Sequence, residues 1–169
     1  TIAFFCAGIP SYNATKKLVN INTKSKPSTL RYRGNGWPGN FTVKYENNDE
    51  LKLSYKESWG NHLGKDLNFR CKICPDGIGL NADISVGDSW EDVDGYPSFT
   101  NKKGRSFVIG RSLLAKSIIL KAAKDKAIVF NKDKISFDTL SKIQKYQHER
   151  RVYSFYRYMA VFFKVPFLI

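Results

Sequence analysis

Two cysteines separated by two residues, Cys71 and Cys74, constrain this chain more than any other feature of its sequence. Shortly after them, residues 82–90 (ADISVGDSW) have the pattern of a short strand that ends in a tight acidic turn. Two thiolates at this spacing can turn towards one centre, so they can bind a single metal ion or one side of an iron–sulfur cluster. The sequence therefore predicts metal chemistry beside a defined piece of β-sheet.

Further ligands for such a site are scarce in the chain. A complete site needs four ligands, and the C-x-x-C pair supplies two of them. Cys6 is the remaining cysteine and ends a predicted strand near the start of the chain, so we predict Cys6, Cys71 and Cys74 as metal ligands. His62 and Asp76 are the nearest candidates of another type for the fourth position.

The cysteine pair alone is compatible with an iron–sulfur cluster, a zinc ion, a redox-active dithiol or an incidental pair. Pro75 follows Cys74 directly, as in many cluster-binding turns, which favours iron–sulfur over zinc. A redox dithiol would place the cysteines at the start of a helix. We predict a weak strand at residues 68–70 and no helix across residues 75–77, which argues against the dithiol.

Length and charge restrict the class of protein. With 169 residues we expect a single domain over residues 1–169. The net charge is +13, from 28 basic and 15 acidic residues, which suits an anionic partner such as nucleic acid, lipid, cofactor or acidic protein. The basic residues are spread thinly, which argues against nucleic acid as the main partner. Cysteine usage predicts a reducing compartment, the cytoplasm, and no apolar run reaches the ~20 residues that span a bilayer.

Alternation of apolar and polar residues predicts antiparallel sheet in the first half of the chain. The alternating runs are residues 30–33, 41–45 and 51–55. Turn-rich segments separate them, so we expect a meander with one basic and one apolar face. Before the meander, residues 2–6 predict a buried strand, and residues 12–19 predict a helix capped by Ser11.

The second half mixes helix and strand. A strand at residues 106–111, a helix at 112–123 capped by Ser112 and a strand at 127–130 predict a β-α-β unit. We expect an exposed loop at residues 92–103 and a long helix at 138–163. The predicted fold class is α/β of the mixed α+β kind: a mixed, partly antiparallel sheet with flanking helices and a long C-terminal helix.

Two places suit an anionic or planar ligand. Arg31 and Arg33 project from one face of a predicted strand, and the glycines at 34 and 36 let a ligand approach the backbone. Paired arginines suit a pyrophosphate or carboxylates, and solvated strand charges are the alternative. The second place is the turn at Asp88, which lies in a cluster of acidic residues (Asp83, Asp88, Glu91, Asp92 and Asp94). With Trp90 beside it, this turn suits a planar ring system, with core packing of the indole as the alternative.

Several segments taken together resemble a known family. Residues 69–76 (FRCKICPD) and 82–90 (ADISVGDSW) are similar to the signature of the beta-subunit family of coenzyme F420 hydrogenases and dehydrogenases. Further segments fall in the family's order: residues 8–11 (GIPS), 32–39 (YRGNGWPG) and 104–112 (GRSFVIGRS). The resemblance covers nearly the whole chain, and it implies a divergent, bacterial-type oxidoreductase domain that transfers electrons.

The resemblance also implies cofactors and partners. It implies FAD and an iron–sulfur cluster of the 4Fe-4S type, with electrons passing between cluster, flavin and either a ferredoxin-like partner protein or a deazaflavin. Carried over residue by residue, Cys71 and Cys74 would be cluster ligands. The predicted cofactor-binding residues are Arg31, Arg33, Gly36, Asp88, Ser106 and Arg111.

One departure from the family pattern concerns the cluster. Many members have a cysteine in a Gly-x-Pro-Cys turn, where this chain has Ser11. With Cys6 as a substitute, one further ligand would come from outside the chain. Because the first residue is Thr1 and the resemblance is to a C-terminal domain, we expect the chain to be the C-terminal part of a longer flavin and iron–sulfur protein. The rival hypothesis is a non-catalytic, zinc-stapled basic module that binds nucleic acid or another polyanion.

Overall fold

The computed structural model describes residues 1–21, 25–93, 96–100, 103–131, 136, 138, 140 and 145–164. The chain forms two compact units, which we describe separately. Unit 1 contains Thr1–Cys6, Pro75–Ser98 and Arg105–Phe155, and unit 2 contains Ala7–Cys74, Phe99–Gly104 and Tyr156–Ile169. That residues 1–169 act as one domain stays a prediction.

The chain contains runs of strands separated by helices, as expected for the predicted mixed α+β class. The strands are β1 (Ile2–Phe4), β2 (Pro27–Arg31), β3 (Phe41–Tyr45), β4 (Glu50–Leu53), β5 (Ile84–Asp88), β6 (Glu91–Val93), β7 (Tyr96–Ser98) and β8 (Ser106–Gly110). The helices are α1 (Tyr12–Val19), a π-helix (Lys56–Leu63), α2 (Phe69–Ile73), α3 (Leu113–Lys124) and α4 (Lys145–Phe162). The fold class predicted from the sequence is confirmed.

Unit 1 is built on a mixed sheet in the order β1-β5-β8. β1 pairs parallel with β5, and β5 pairs antiparallel with β8. The expected strand at residues 2–6 is present, but the prediction that it is buried was wrong, since Ile2 and Phe4 are each 74% exposed. The reason is its position: β1 is an edge strand whose alternate side chains face a side of the sheet that the described residues leave open.

The predicted β-α-β unit was also wrong. Helix α3 forms as expected, and the Ser112 hydroxyl caps it by accepting a hydrogen bond from the N–H of Ala115. Beyond Lys124, however, Lys126 adopts a left-handed φ of 58° and turns the chain away from a return to the sheet. Residues 127–130 pair with no strand in the described part of the chain, and Val129 is 92% exposed.

The segment predicted as an exposed loop, residues 92–103, contains a second small sheet instead. β6 and β7 pair antiparallel, with Asp92 opposite Pro97. Pro97 is buried. Each of these strands has three residues, which is too short for an alternation of apolar and polar side chains to be recognised in the sequence.

Unit 2 contains the predicted meander, which is confirmed, with strand order β2-β3-β4 and antiparallel pairing. Alternate residues of β3 are buried, and they share one core with residues of α1 and the π-helix. The core consists of Ala14, Leu18, Val19, Phe41, Val43, Tyr45, Leu51 and Leu63. Ser11 caps α1 as predicted, accepting the N–H of Ala14 at 2.9 Å.

The last helix, α4, confirms the predicted long C-terminal helix over residues 145–162. Within the predicted range of 138–163, residues 139 and 141–144 lie outside the described residues. Within the described part of the chain, no helix combines the length and the apolar character that crossing a bilayer would require.

Candidate functional site

The C-x-x-C pair lies on the short helix α2, which corrects the predicted strand at residues 68–70. The side chain of Asn68 caps this helix by accepting the N–H of Arg70, so the local hydrogen bond favours a helical turn over a strand. Cys71 occupies the third helical position and Cys74 is the C-cap. The cysteines therefore mark the end of the helix, whereas a thioredoxin-like dithiol sits at a helix start.

The turn formed by residues 8–11 packs directly on the segment that carries the cysteines. The backbone N–H of Ile9 donates a hydrogen bond to the sulfur of Cys71 at 3.3 Å, and the Ile9 carbonyl accepts the N–H of Asn68 at 2.8 Å. The N–H of Ser11 donates to the carbonyl of Asp66 at 2.8 Å. The motif GIPS and the C-x-x-C motif, about 60 residues apart in the chain, therefore belong to one local structure.

Gly8 is required for this packing. Its φ is +120°, and a Cβ at this position would lie 2.8 Å from the Leu67 side chain and 3.3 Å from the Cβ of Cys71. L-residues with a side chain rarely adopt such a backbone conformation. The glycine thus lets the turn approach the cysteine closely enough for the N–H to reach the sulfur.

Cys6 belongs to unit 1, where its backbone is tightly held. Its N–H donates to the carbonyl of Gly77 at 2.8 Å, and its carbonyl accepts hydrogen bonds from Gln147 and Arg150, each at 3.0 Å. Among the described residues, no three His, Cys, Asp or Glu side chains are grouped as a metal site requires. Cys6 as a third ligand stays a prediction.

Asp76, a candidate for the fourth ligand, has a structural use. Its carboxylate accepts the backbone N–H groups of Ile78 and Leu80 at 3.0 to 3.2 Å, which shapes the turn after the cysteines. Aspartate commonly stabilises turns in this way. His62, the other candidate, lies in the last turn of the π-helix.

The arginine pair is arranged differently from the prediction. β2 ends at Arg31, so Arg33 lies beyond the strand and the two do not share a strand face. The reason is the glycine-rich loop that follows, which bends the backbone from Tyr32 onwards. Arg31 donates to the side chain of Asn35 at 2.9 Å, and the Nε of Arg33 donates to the carbonyl of Pro38 at 3.0 Å.

The loop of residues 33–39 nevertheless keeps its predicted character as an accessible backbone. Gly36 is exposed and has a φ of 121°. Gly39 packs so closely that a Cβ there would lie 2.5 Å from the backbone N of Gly34. The two ends of the loop are thus pinned together, while its middle is open to a ligand.

An aromatic cluster beside this loop was not predicted from the sequence. The guanidinium of Arg33 lies 5.4 Å from the ring centroid of Tyr55, a cation–π geometry. Tyr55 in turn stacks on Trp59, with centroids 6.2 Å apart, and contacts Phe99 at 4.9 Å. The high aromatic content of the chain is compatible with such a cluster. Its members come from three separate segments, so the sequence does not show that they lie together.

In unit 1 the structure brings Asp88 and Ser106 together. They are register partners across the β5–β8 ladder, and the next pair on the same face of the sheet is Val86 with Val108. Alternate residues of a strand share a face, so the polar pair borders the open apolar face of the sheet that also carries Phe4. A flat, partly polar ligand could lie on such a surface.

Arg111 has a role that was not predicted from the sequence. Its Nη1 donates to the carbonyls of Gly79 and Ala82 and to the hydroxyl of Ser85, and its Nη2 donates to the carbonyl of Ile78. The guanidinium therefore ties the turn of residues 78–82 to β5. Its donors are directed at the protein, which makes it a positioning residue in this structure.

Residues 1–135, four-fifths of the chain, match the family model for the C terminus of the beta subunit of coenzyme F420 hydrogenase/dehydrogenase. The chain belongs to this family. The resemblance carried by the C-x-x-C segment and the acidic turn is thereby confirmed. As a member of the coenzyme F420 hydrogenase/dehydrogenase beta-subunit family, the chain is a redox-type domain.

One solved structure similar to this family member belongs to the F420-reducing NiFe hydrogenase complex from Methanosarcina barkeri. The TM-score is 0.49 and the sequence identity is 22%, with 90% of the present chain and 48% of the other chain covered. The present chain therefore spans about half the length of that protein. No curated protein sequence matches the chain.

Proposed function

We propose that this chain is the electron-transfer domain of an oxidoreductase that uses FAD and a 4Fe-4S cluster, working in the reducing cytoplasm. The single observation that carries the proposal is the hydrogen bond from the Ile9 N–H to the Cys71 sulfur beside Cys74. Backbone donors aimed at cysteine sulfur tune the potential of iron–sulfur clusters. The family membership supports the same redox role.

The cysteines of this site supply part of the ligand set that a cluster needs. Cys71 and Cys74 are both half-buried, and two sulfur ligands on one helix end suit iron or another thiophilic metal. When bound, the cluster would supply single-electron transfer. The protein's own contribution is to hold the two sulfurs, to donate an N–H to one of them, and to brace α2 through the hydrogen bond from Arg157 to the Lys72 carbonyl at 3.1 Å.

Two separate surfaces are proposed as FAD contacts, one in each unit. In unit 1 the surface is the open sheet face that ends at Asp88 and Ser106. In unit 2 it is the loop with exposed Gly36, flanked by Arg31 and Arg33. A flavin converts hydride transfer into single-electron steps, while the protein sets its position and its electrostatic surroundings. Basic residues near the loop suit the pyrophosphate of FAD.

The redox partner is part of the proposal. The net charge of +13 suits an acidic, ferredoxin-like protein or an anionic deazaflavin. Electrostatic attraction of this kind raises the rate of encounter and weakens as salt is added. A measured association rate that does not change between low and high salt would argue against an acidic partner.

Cysteine variants test the cluster. After anaerobic reconstitution with iron and sulfide, wild-type protein should develop broad visible absorbance. Cys71→Ser and Cys74→Ser should each lose most of the bound iron, because each removes a ligand. Cys6→Ser is the informative third variant: loss of iron would make Cys6 a ligand, and retention would place the remaining ligands elsewhere. Unchanged iron in both C-x-x-C variants would refute the cluster assignment.

Flavin titration tests the two surfaces separately. Asp88→Ala with Ser106→Ala alters the unit 1 surface, and Arg33→Leu alters the unit 2 loop. Loss of a hydrogen bond to a charged group should weaken FAD binding by ~10- to 100-fold at the surface that is used. Arg105→Leu, a change to an exposed arginine outside both predicted sets, is the control. Wild-type affinity in both altered proteins would remove these residues from the flavin site.

A further inference from the structure

The loop of residues 33–39 contains the only asparagine in the sequence that is followed directly by a glycine, Asn35 with Gly36. Both residues are exposed. The side-chain amide of an asparagine can be attacked by the backbone nitrogen of the next residue, and a glycine hinders this attack least because it has no Cβ. Asn35 is therefore the asparagine whose amide the following residue shields least.

The attacking atom, the backbone nitrogen of Gly36, is available. In the described part of the chain its N–H donates to no acceptor, so no hydrogen bond has to break before the attack. Asn48 offers a comparison, because it is also exposed and has a left-handed φ of 67°, against 57° at Asn35. The next residue there is Asp49, whose N–H donates to the side chain of Asn47 at 3.2 Å. Asn48 thus lacks both features that favour attack at Asn35.

The attacked group, the side-chain amide of Asn35, is held by Arg31. The Nη1 of Arg31 donates to the Oδ1 of Asn35 at 2.9 Å. Gly34 lets the arginine lie over the loop, since a Cβ at position 34 would lie 2.9 Å from the Cδ of Arg31. A cationic donor on the amide oxygen withdraws electron density from the amide carbon and stabilises the negative charge that develops on the oxygen during attack. The guanidinium therefore occupies the position of an oxyanion-stabilising group.

We propose that Asn35 is a deamidation site, at which Gly36 supplies the nucleophile and Arg31 activates the amide. The Gly36 nitrogen forms a bond to the Cγ of Asn35, and the bond from Cγ to Nδ2 breaks. The proton of the Gly36 N–H leaves with Nδ2 as part of ammonia, and a cyclic imide remains. Water then opens either C–N bond of the imide, which gives aspartate or isoaspartate at position 35. The attack is intramolecular, so it requires no partner molecule other than water.

The product changes the charge of the loop. The neutral amide beside Arg31 becomes a carboxylate, so an exposed ion pair with the guanidinium replaces the present hydrogen bond. The net charge of the chain falls by one unit from +13. Deamidation thus lowers the positive charge of an exposed loop after the chain has been synthesised.

Ageing of the purified full chain in mildly alkaline buffer tests the proposal. The experiment requires neither cofactor, so its result is independent of the proposed function. Peptide mapping by mass spectrometry measures the conversion of Asn35 and Asn48 in the same sample, and labelling by an isoaspartate methyltransferase identifies the isomeric product. Arg31→Leu removes the donor to the amide, and Arg31→Lys keeps a cationic donor. Circular dichroism verifies that both variants fold, and all three proteins are also aged unfolded in urea.

We expect Asn35 to convert at least ~10-fold faster than Asn48 in the folded wild-type chain. Arg31→Leu should slow the conversion of Asn35 by ~10-fold, and Arg31→Lys should recover part of that loss. In urea the three proteins should convert at equal rates, because the hydrogen bond to Asn35 no longer forms.

Three results would overturn the proposal. The first is conversion of Asn35 that is no faster than that of Asn48. The second is a rate in folded Arg31→Leu that equals or exceeds the wild-type rate. The third is a difference between wild type and Arg31→Leu that persists in urea, since it would show that the folded loop is not its cause.

Discussion

The backbone N–H of Ile9 donates a hydrogen bond to the sulfur of Cys71 across 3.3 Å. This contact joins the GIPS turn to the C-x-x-C helix and gives a physical reason for both motifs to occur in one family. The turn needs a glycine to come close, and the sulfur gains a donor that solvent would otherwise supply.

Gly8→Ala should destabilise the chain and displace the turn from Cys71. The added methyl group would lie 2.8 Å from Leu67 at a backbone φ of +120°, so both strain and overlap oppose it. We expect a loss of about 1–3 kcal/mol in the free energy of unfolding, measured in urea. Gly60→Ala is the control, because its Cβ would meet only Lys56 at 3.7 Å. Equal effects of the two changes would contradict the proposed packing.

Gly87→Ala should overpack the sheet of unit 1. A Cβ there would lie 2.4 Å from the ring of Phe107 and 3.0 Å from that of Phe5, and these rings meet edge to face. The expected loss is about 1–3 kcal/mol of unfolding free energy. The smaller side chain in Phe107→Leu makes room for the added methyl group. The double variant should therefore lose less unfolding free energy than the sum of the losses in the two single variants. Simple additivity would show that Phe107 is not the obstacle.

Arg111→Lys should destabilise unit 1 even though the side chain stays cationic. A lysine cannot reproduce the forked set of hydrogen bonds to Gly79, Ala82 and Ser85. We expect the free energy of unfolding to fall by about 1–2 kcal/mol at this exposed position, as measured by thermal or urea unfolding. Arg105→Lys affects an exposed ion pair with Glu91 and should change the stability by less than about 1 kcal/mol.

Glu57 should titrate below its ordinary pKa of 4.5. The hydroxyl of Ser54 donates to the carboxylate at 2.6 Å and the Ser54 N–H donates at 2.9 Å, and these bonds lower the pKa of Glu57. The stabilisation from this capping interaction is present above the unfolded pKa and is lost as the pH falls through the folded pKa. In NMR titrations, Ser54→Ala should raise the Glu57 pKa towards 4.5. An unchanged value would exclude the hydroxyl as the cause.

The sequence could predict those elements whose signal is local. The alternation of apolar and polar residues predicted the meander, and capping serines predicted the starts of α1 and α3. Both patterns depend only on residues that are neighbours in the sequence. The predicted strand at residues 127–130 failed since a short apolar run does not reveal whether a partner strand is available. Burial of β1 failed for a related reason: an edge strand and a central strand can have the same composition.

For the candidate sites, sequence motifs located the residues but not their hydrogen bonds. The pairing of Asp88 with Ser106 and the contact of Ile9 with Cys71 join distant segments, which a single sequence does not report. Arg111 was predicted from its motif as a cofactor residue, whereas its guanidinium binds backbone carbonyls. A cationic side chain can bind a ligand or stabilise a turn, and only the three-dimensional structure distinguishes these two roles.

The most direct test of the proposed redox function is the quantification of iron, acid-labile sulfide, zinc and flavin in anaerobically purified protein. We expect about four iron and four sulfide per chain, together with a flavin spectrum, in protein that contains any ligands supplied from outside residues 1–169. Cys71→Ser should abolish the iron. A colourless protein with one zinc per chain and no flavin would contradict the proposed function.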